Sequence, residues 1–191
     1  MKHLFFAPLA FISLLSFSQQ TNEKDSIEEP KYDTTSIDIR STNSFYFCSK
    51  LYKIPRDCDK DDQSNCCSFS AQMHSGEKTP ISCQLGCYNG ATLVWTYFAT
   101  EDQARSDFEG YGPQIKKQMK SFKQTKISVF IDNQQATAYK LSYTSIQDLT
   151  GYEILSYAVI NGQNVVVRLF SLKELKSSKD LQPIFQQIVK F

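Results

Sequence analysis

The sequence predicts an α+β fold, a mainly antiparallel β-sheet covered by helices, with a disulfide-stapled N-terminal half. Three observations predict it. Residues 152–172 form two apolar runs around Asn161-Gly162, a strong short-range hairpin signal, because a type I′ turn needs φ > 0 at both central residues. Both faces of that hairpin are apolar, whereas a sheet with one wet face alternates apolar with polar. All six cysteines fall between positions 48 and 87, and an even count in an exported chain implies disulfides.

The turn sets the hairpin register. Ile160 faces Gln163, Ala158 faces Val165, Ser156 faces Val167, and Ile154 faces Leu169. One face then carries Ile154, Ala158, Ile160, Val165, Val167 and Leu169. The other carries Leu155, Tyr157, Val159, Val166 and Phe170, interrupted by Glu153, Asn164 and Arg168. Both faces therefore need cover. Glu153 and Arg168 are diagonal neighbours, expected to form an ion pair within the sheet rather than an anion site.

At the start of the chain, Met1-Lys2-His3 precedes an apolar run of 14 residues, Leu4 to Phe17. This run is too short for a spanning helix and reads as a secretory signal. Small residues at Ser16 and Ser18 place cleavage before Gln19. Removing 18 residues from 191 leaves 173, a single-domain length with room for a core. Residues 19–42 read as a flexible polar lead segment and residues 43–191 as one α+β domain. With 21 basic and 20 acidic residues, the chain lacks the basic excess of a nucleic-acid binder. No later stretch is apolar and long enough to span a membrane.

Cys48, Cys58, Cys66, Cys67, Cys83 and Cys87 are the disulfide candidates, and six cysteines allow 15 pairings. Neighbouring Cys66 and Cys67 are expected to reach different partners, since bonding to each other strains the ring. A second hairpin is expected at Asn89-Gly90, pairing residues 80–88 with 91–98. Counting from that turn puts Cys83 and Cys87 on one face with Ile81, Leu85, Val94 and Phe98. On an intact strand these two cysteines lie about 13 Å apart. Each must therefore bond outward, to the Cys58–Cys67 loop or to Cys48. Residues 45–54 and 67–73 read as short strands. Zinc at the cysteines with His74 lacks paired C-x₂-C spacing. Calcium at Asp57, Asp59 and Asp61 lacks the glycine and glutamate of a standard loop. Neither metal nor cofactor is expected.

Thr100 to Gln103 fits a helix N-terminus. Ala104, Phe108, Tyr111, Ile115, Met119 and Phe122 follow at helical spacing, and Gly110, Gly112 and Pro113 are expected to split the run into two helices. Lys116, Lys117, Lys120, Lys123 and Lys126 make the stretch basic. It is either a solvated helix face or a contact surface for an acidic partner. Strands follow at 127–131 and 136–143, then the anchor hairpin. A last helix, capped by Ser178, carries Leu181, Ile184, Phe185, Ile188 and Val189 as the stripe that covers one hairpin face.

The order from Gly90 onward is strand, interrupted helix, four antiparallel strands, helix. With the closing run Ile184-Phe185-Gln186-Gln187-Ile188-Val189-Lys190-Phe191, it resembles the PsbP/Mog1-like α/β/α sandwich over residues 91–191. That resemblance implies helices on both sheet faces and binding or accessory roles. It implies no shared catalytic set.

No nucleophile elbow, phosphate-cradling loop or H-E-x-x-H occurs. After signal removal His74 is the only histidine. The functional expectation is an exported, non-enzymatic binding or accessory protein of the envelope or periplasm, of immunity, inhibitor or assembly-factor type, with a protein partner. The alternatives are a secreted hydrolase using the acidic loop Asp57–Asp62 and a metal-dependent binding module.

Overall fold

The structure is a computed structural model and describes residues 44–54, 67–72, 81–88 and 90–191. The signal and lead segments, Cys58, Cys66, the acidic loop and His74 lie outside the described residues.

Two short strands open the described chain, β1 (Ser44–Phe47) and β2 (Lys50–Lys53). Then come β3 (Cys67–Gln72), β4 (Ser82–Cys87), β5 (Thr92–Phe98), helix α1 (Glu101–Gln118), β6 (Ser121–Ile131), β7 (Gln134–Thr144), β8 (Thr150–Ile160) and β9 (Gln163–Ser171). A 3-10 turn, the six-residue helix α2 (Pro183–Ile188) and β10 (Val189–Lys190) close it. Eight strands form one sheet in the order β10-β6-β7-β8-β9-β5-β4-β3, and all its pairs are antiparallel.

The β8–β9 hairpin takes the register expected from Asn161-Gly162, with Ile160 opposite Gln163 and Ile154 opposite Leu169. Asn161 and Gly162 have φ of 50° and 75°, as a type I′ turn requires. One face of the hairpin joins a core cluster with Leu93, Trp95, Ile184, Phe185 and Ile188. The other packs Leu155, Tyr157 and Val166 against Ala104, Phe108 and Ile115 of α1. The β8–β9 hairpin is thus covered on both faces, whereas alternate residues of β3 (Ser68, Ser70, Gln72) and β6 (Gln124, Lys126, Ser128) stay exposed.

The expected α/β/α sandwich is not the architecture found. One face is covered by α1. The opposite face is covered by the β1–β2 hairpin together with the C-terminal segment that carries α2, where Leu181, Ile184, Phe185, Ile188 and Val189 form the expected stripe. The described residues are mostly β. Residues 45–54 do not run as a single strand, because Cys48 and Ser49 both take positive φ (45° and 68°) and fold the segment back on itself. Neither residue is the glycine or asparagine that usually marks such a turn, so composition gave no warning. The turn is held from outside. Asn161 Nδ2 donates to the Cys48 carbonyl at 2.7 Å, and the Cys48 N–H donates to Tyr97 Oη at 3.0 Å. Asp132 accepts from Lys50 Nζ at 2.5 Å and from Tyr52 Oη at 2.7 Å.

Three local expectations also change. The β4–β5 connection uses three residues, not two, so Cys83 pairs with Trp95 and Leu85 with Leu93. That one-residue slip turns Leu93 and Trp95 inward instead of Val94 and Phe98. Helix α1 runs unbroken through Pro113, held by the packing of Ala104, Phe108 and Ile115 on the sheet rather than by propensity. It ends at Gln118, and β6 starts at Ser121. Phe122, Lys123 and Lys126 therefore sit on a strand, where pairing with β7 overrides their helical spacing. At the C-terminus Ser177, not Ser178, provides the side-chain cap, and it caps the 3-10 turn.

Candidate functional site

Two sets of charged groups stand out. The first lies beneath α1. Glu153 on β8 is 3% exposed. Its Oε2 accepts from Tyr111 Oη at 2.9 Å and, more weakly, from Tyr143 Oη at 3.5 Å. Arg168 Nε lies 3.9 Å from Oε1, and the guanidinium stacks over the Tyr111 ring at 4.9 Å. This is the ion pair expected from the hairpin register. The two tyrosines were not foreseen as its partners. The Tyr143 ring packs over Gly151, where an added Cβ would come within 2.6 Å of it. Burial pushes the Glu153 carboxyl above its ordinary value, while Arg168 and the two hydroxyls pull it back down. Burial also raises both tyrosines, and the Glu153 charge adds to the effect. Glu153 is sealed under α1, with Tyr111 and Arg168 partly exposed around it, and the Tyr111 bond ties the helix to the sheet.

The second set lies at the surface. From Gly110 to Ile131 the chain carries five lysines and no acidic residue. Lys116 and Lys117 close α1, where they also suit the helix C-terminus. Lys120 pairs with Asp148 at 2.7 Å. Lys123 and Lys126 are exposed on β6. Strand β6 is next to the end of the sheet, because β10 pairs only with Phe130 and Ile131. Among the described residues, Ser121–Val129 has no outer strand partner. The two-residue turn Asp132-Asn133 (φ 47° and 65°) makes Ile131 and Gln134 the closing hydrogen-bonded pair. Counting back, Phe122, Gln124, Lys126 and Ser128 point their N–H and C=O groups outward. Phe130 does so too and meets β10 there. An open groove of about 510 Å³ runs beside this edge, lined by Glu109, Pro113, Lys116, Phe122, Gln124 and Tyr139. The lysines could be foreseen from the sequence; their place on an open strand could not, because the run reads as helix.

Of the cysteines, Cys67 and Cys87 face each other across β3–β4 and are joined, with an S–S distance of 1.95 Å. Cys87 thus bonds outward as expected, but Cys83 does not: Cys83 and the other described candidate, Cys48, are buried free thiols. Desolvation is the main cause that pushes each up to about 12. Almost no thiolate forms at neutral pH, so both are expected to resist alkylation in the folded protein and to react on unfolding. Titration with a thiol reagent before and after denaturant, followed by mass mapping, checks this. Rapid labelling of either thiol under native conditions would contradict it.

Among the described residues there is no group of three or more His, Cys, Asp or Glu placed to hold a metal ion. No described helix is long and apolar enough to cross a membrane. No protein-family model matches the chain, and no curated protein matches it. It is similar to a solved structure of a Pseudomonas aeruginosa protein of unknown function, PA94, over 67% of this chain and 81% of that one. The identity is 14% and the TM-score 0.32, a likeness that carries no argument about fold or function.

Proposed function

We propose that this is an exported, non-enzymatic binding or accessory protein of the cell envelope, whose contact surface for an acidic protein partner is the lysine-bearing side formed by the end of α1 and strand β6. One observation carries the reading: five lysines and no acid over Gly110–Ile131, in a chain whose formal net charge is only +1. Lysines gathered along one stretch of a nearly neutral protein, of which Lys120 is already paired with Asp148, steer association with the opposite charge. The Cys67–Cys87 bridge supports an oxidising compartment. An immunity, inhibitor or assembly role fits such a protein equally well.

The test is a pull-down from envelope extract with the wild-type chain and with Lys116→Glu, Lys117→Glu, Lys123→Glu and Lys126→Glu combined. A partner captured by the wild type, released by raised salt and lost by the variant is the expected result. Equal capture by both forms contradicts the reading. So does failure to recover any partner while the purified protein shows hydrolase turnover.

A further inference from the structure

We infer that the partner binds at this surface by strand addition: an acidic, extended segment pairs antiparallel or parallel with the outer edge of β6 along Phe122–Ser128. The inference rests on the proposed acidic-partner reading and specifies its mode.

Four outward backbone positions, Phe122, Gln124, Lys126 and Ser128, offer donors and acceptors along one edge. Adding a strand satisfies them at once, which is how exposed sheet edges take extended peptides. Lys123 and Lys126 project to opposite faces of the strand, so an added acidic strand meets a lysine on both faces. Phe122, Pro113 and Tyr139 give an alternate side chain apolar contacts in the adjoining groove, beside Lys116, Gln124 and Glu109. The same lysines disfavour a second copy of this chain, since two β6 edges would bring like charges together. The edge therefore selects among strands by charge, refusing its own kind and admitting an acidic one.

The test titrates the full mature chain with a synthetic nine-residue peptide of alternating Glu and Val, at low and at raised salt. A peptide of the same composition with alternate residues replaced by Pro, and a Lys-Val peptide, are the controls. Backbone amide exchange of the protein is followed residue by residue. The expected result is salt-sensitive binding of the Glu-Val peptide alone, with the amides of Phe122, Gln124, Lys126 and Ser128 becoming slow to exchange. Lys126→Gln removes one charge. Lys126→Pro also removes an outward N–H without touching the β7 ladder, and is expected to weaken binding about tenfold further, as for the loss of one such hydrogen bond.

Binding with those four amides still fast, or equal binding by Lys126→Gln and Lys126→Pro, overturns strand addition and leaves the acidic-partner reading standing. Absence of binding up to about 1 mM peptide, the weak end of the affinity scale, overturns strand addition as well. The acidic-partner reading fails separately, on equal capture of the envelope partner by the charge-reversed chain. If Lys126→Pro does not fold, the exchange pattern of the wild type decides.

Discussion

Trp95→Ala is expected to destabilise the protein by about 3–5 kcal/mol, the usual range for emptying a buried tryptophan site. Trp95 is fully buried and is the chain's single tryptophan. It sits where the covering hairpin meets the sheet. Phe45 and Phe47 of β1 lie 5.5 and 5.4 Å from it, and Phe69 of β3 lies 5.9 Å away. Its Nε1 donates to Tyr97 Oη, the same oxygen that accepts from the Cys48 N–H. Truncation therefore opens a cavity and loosens the hold on the Cys48–Ser49 turn together. Urea unfolding followed by circular dichroism measures the loss. A cost below about 1 kcal/mol, the level of an ordinary point mutation, would show that the β1–β2 hairpin does not pack on the sheet as described.

Arg168→Leu is expected to cost about 3–5 kcal/mol near pH 8, because it leaves Glu153 buried without its counter-ion. The loss should shrink on acidification. In the wild type, burial already holds the Glu153 carboxyl above its ordinary value. Between the ordinary and raised values the folded chain keeps a proton that the unfolded chain has released. The stability from this group is complete below the ordinary value and is lost as pH rises through the raised one. Without Arg168 the carboxyl titrates higher still, so the variant's deficit widens with pH. Unfolding of both proteins at about pH 5 and about pH 8 checks the sign. A deficit that is flat or grows toward acid would mean that Glu153 is not charged in the folded wild type.

How far the sequence could be read followed from which interactions decide each segment. Asn161-Gly162 dictates its turn through local backbone conformation, so the β8–β9 register, both of its faces and the Glu153–Arg168 pair were legible. Where distant contacts decide, local pattern misled. Cys48-Ser49 turns because Asn161, Tyr97 and Asp132 hold it through bonds that span 49 to 113 residues of chain, which no spacing rule connects. Helix α1 survives Pro113 through its packing, and Phe122 to Lys126 leave the helical pattern because β7 offers eleven paired positions. At Asn89-Gly90 one extra loop residue exchanged Val94 for Trp95 at the centre of the core. Each slip was small. Together they set a β1–β2 hairpin beside the expected C-terminal stripe as cover for one face, and moved Lys123 and Lys126 from an expected helix to a strand edge while Lys116 and Lys117 stayed on α1.

Hydrogen exchange along β6 of the isolated protein tests the bare lysine edge most directly. The expected pattern alternates: Lys123, Thr125, Ile127 and Val129, bonded to β7, exchange slowly, while Phe122, Gln124, Lys126 and Ser128 exchange fast. Slow exchange at all of these positions in a monomeric sample would mean that the edge is already occupied, and the account of a docking strand would be contradicted.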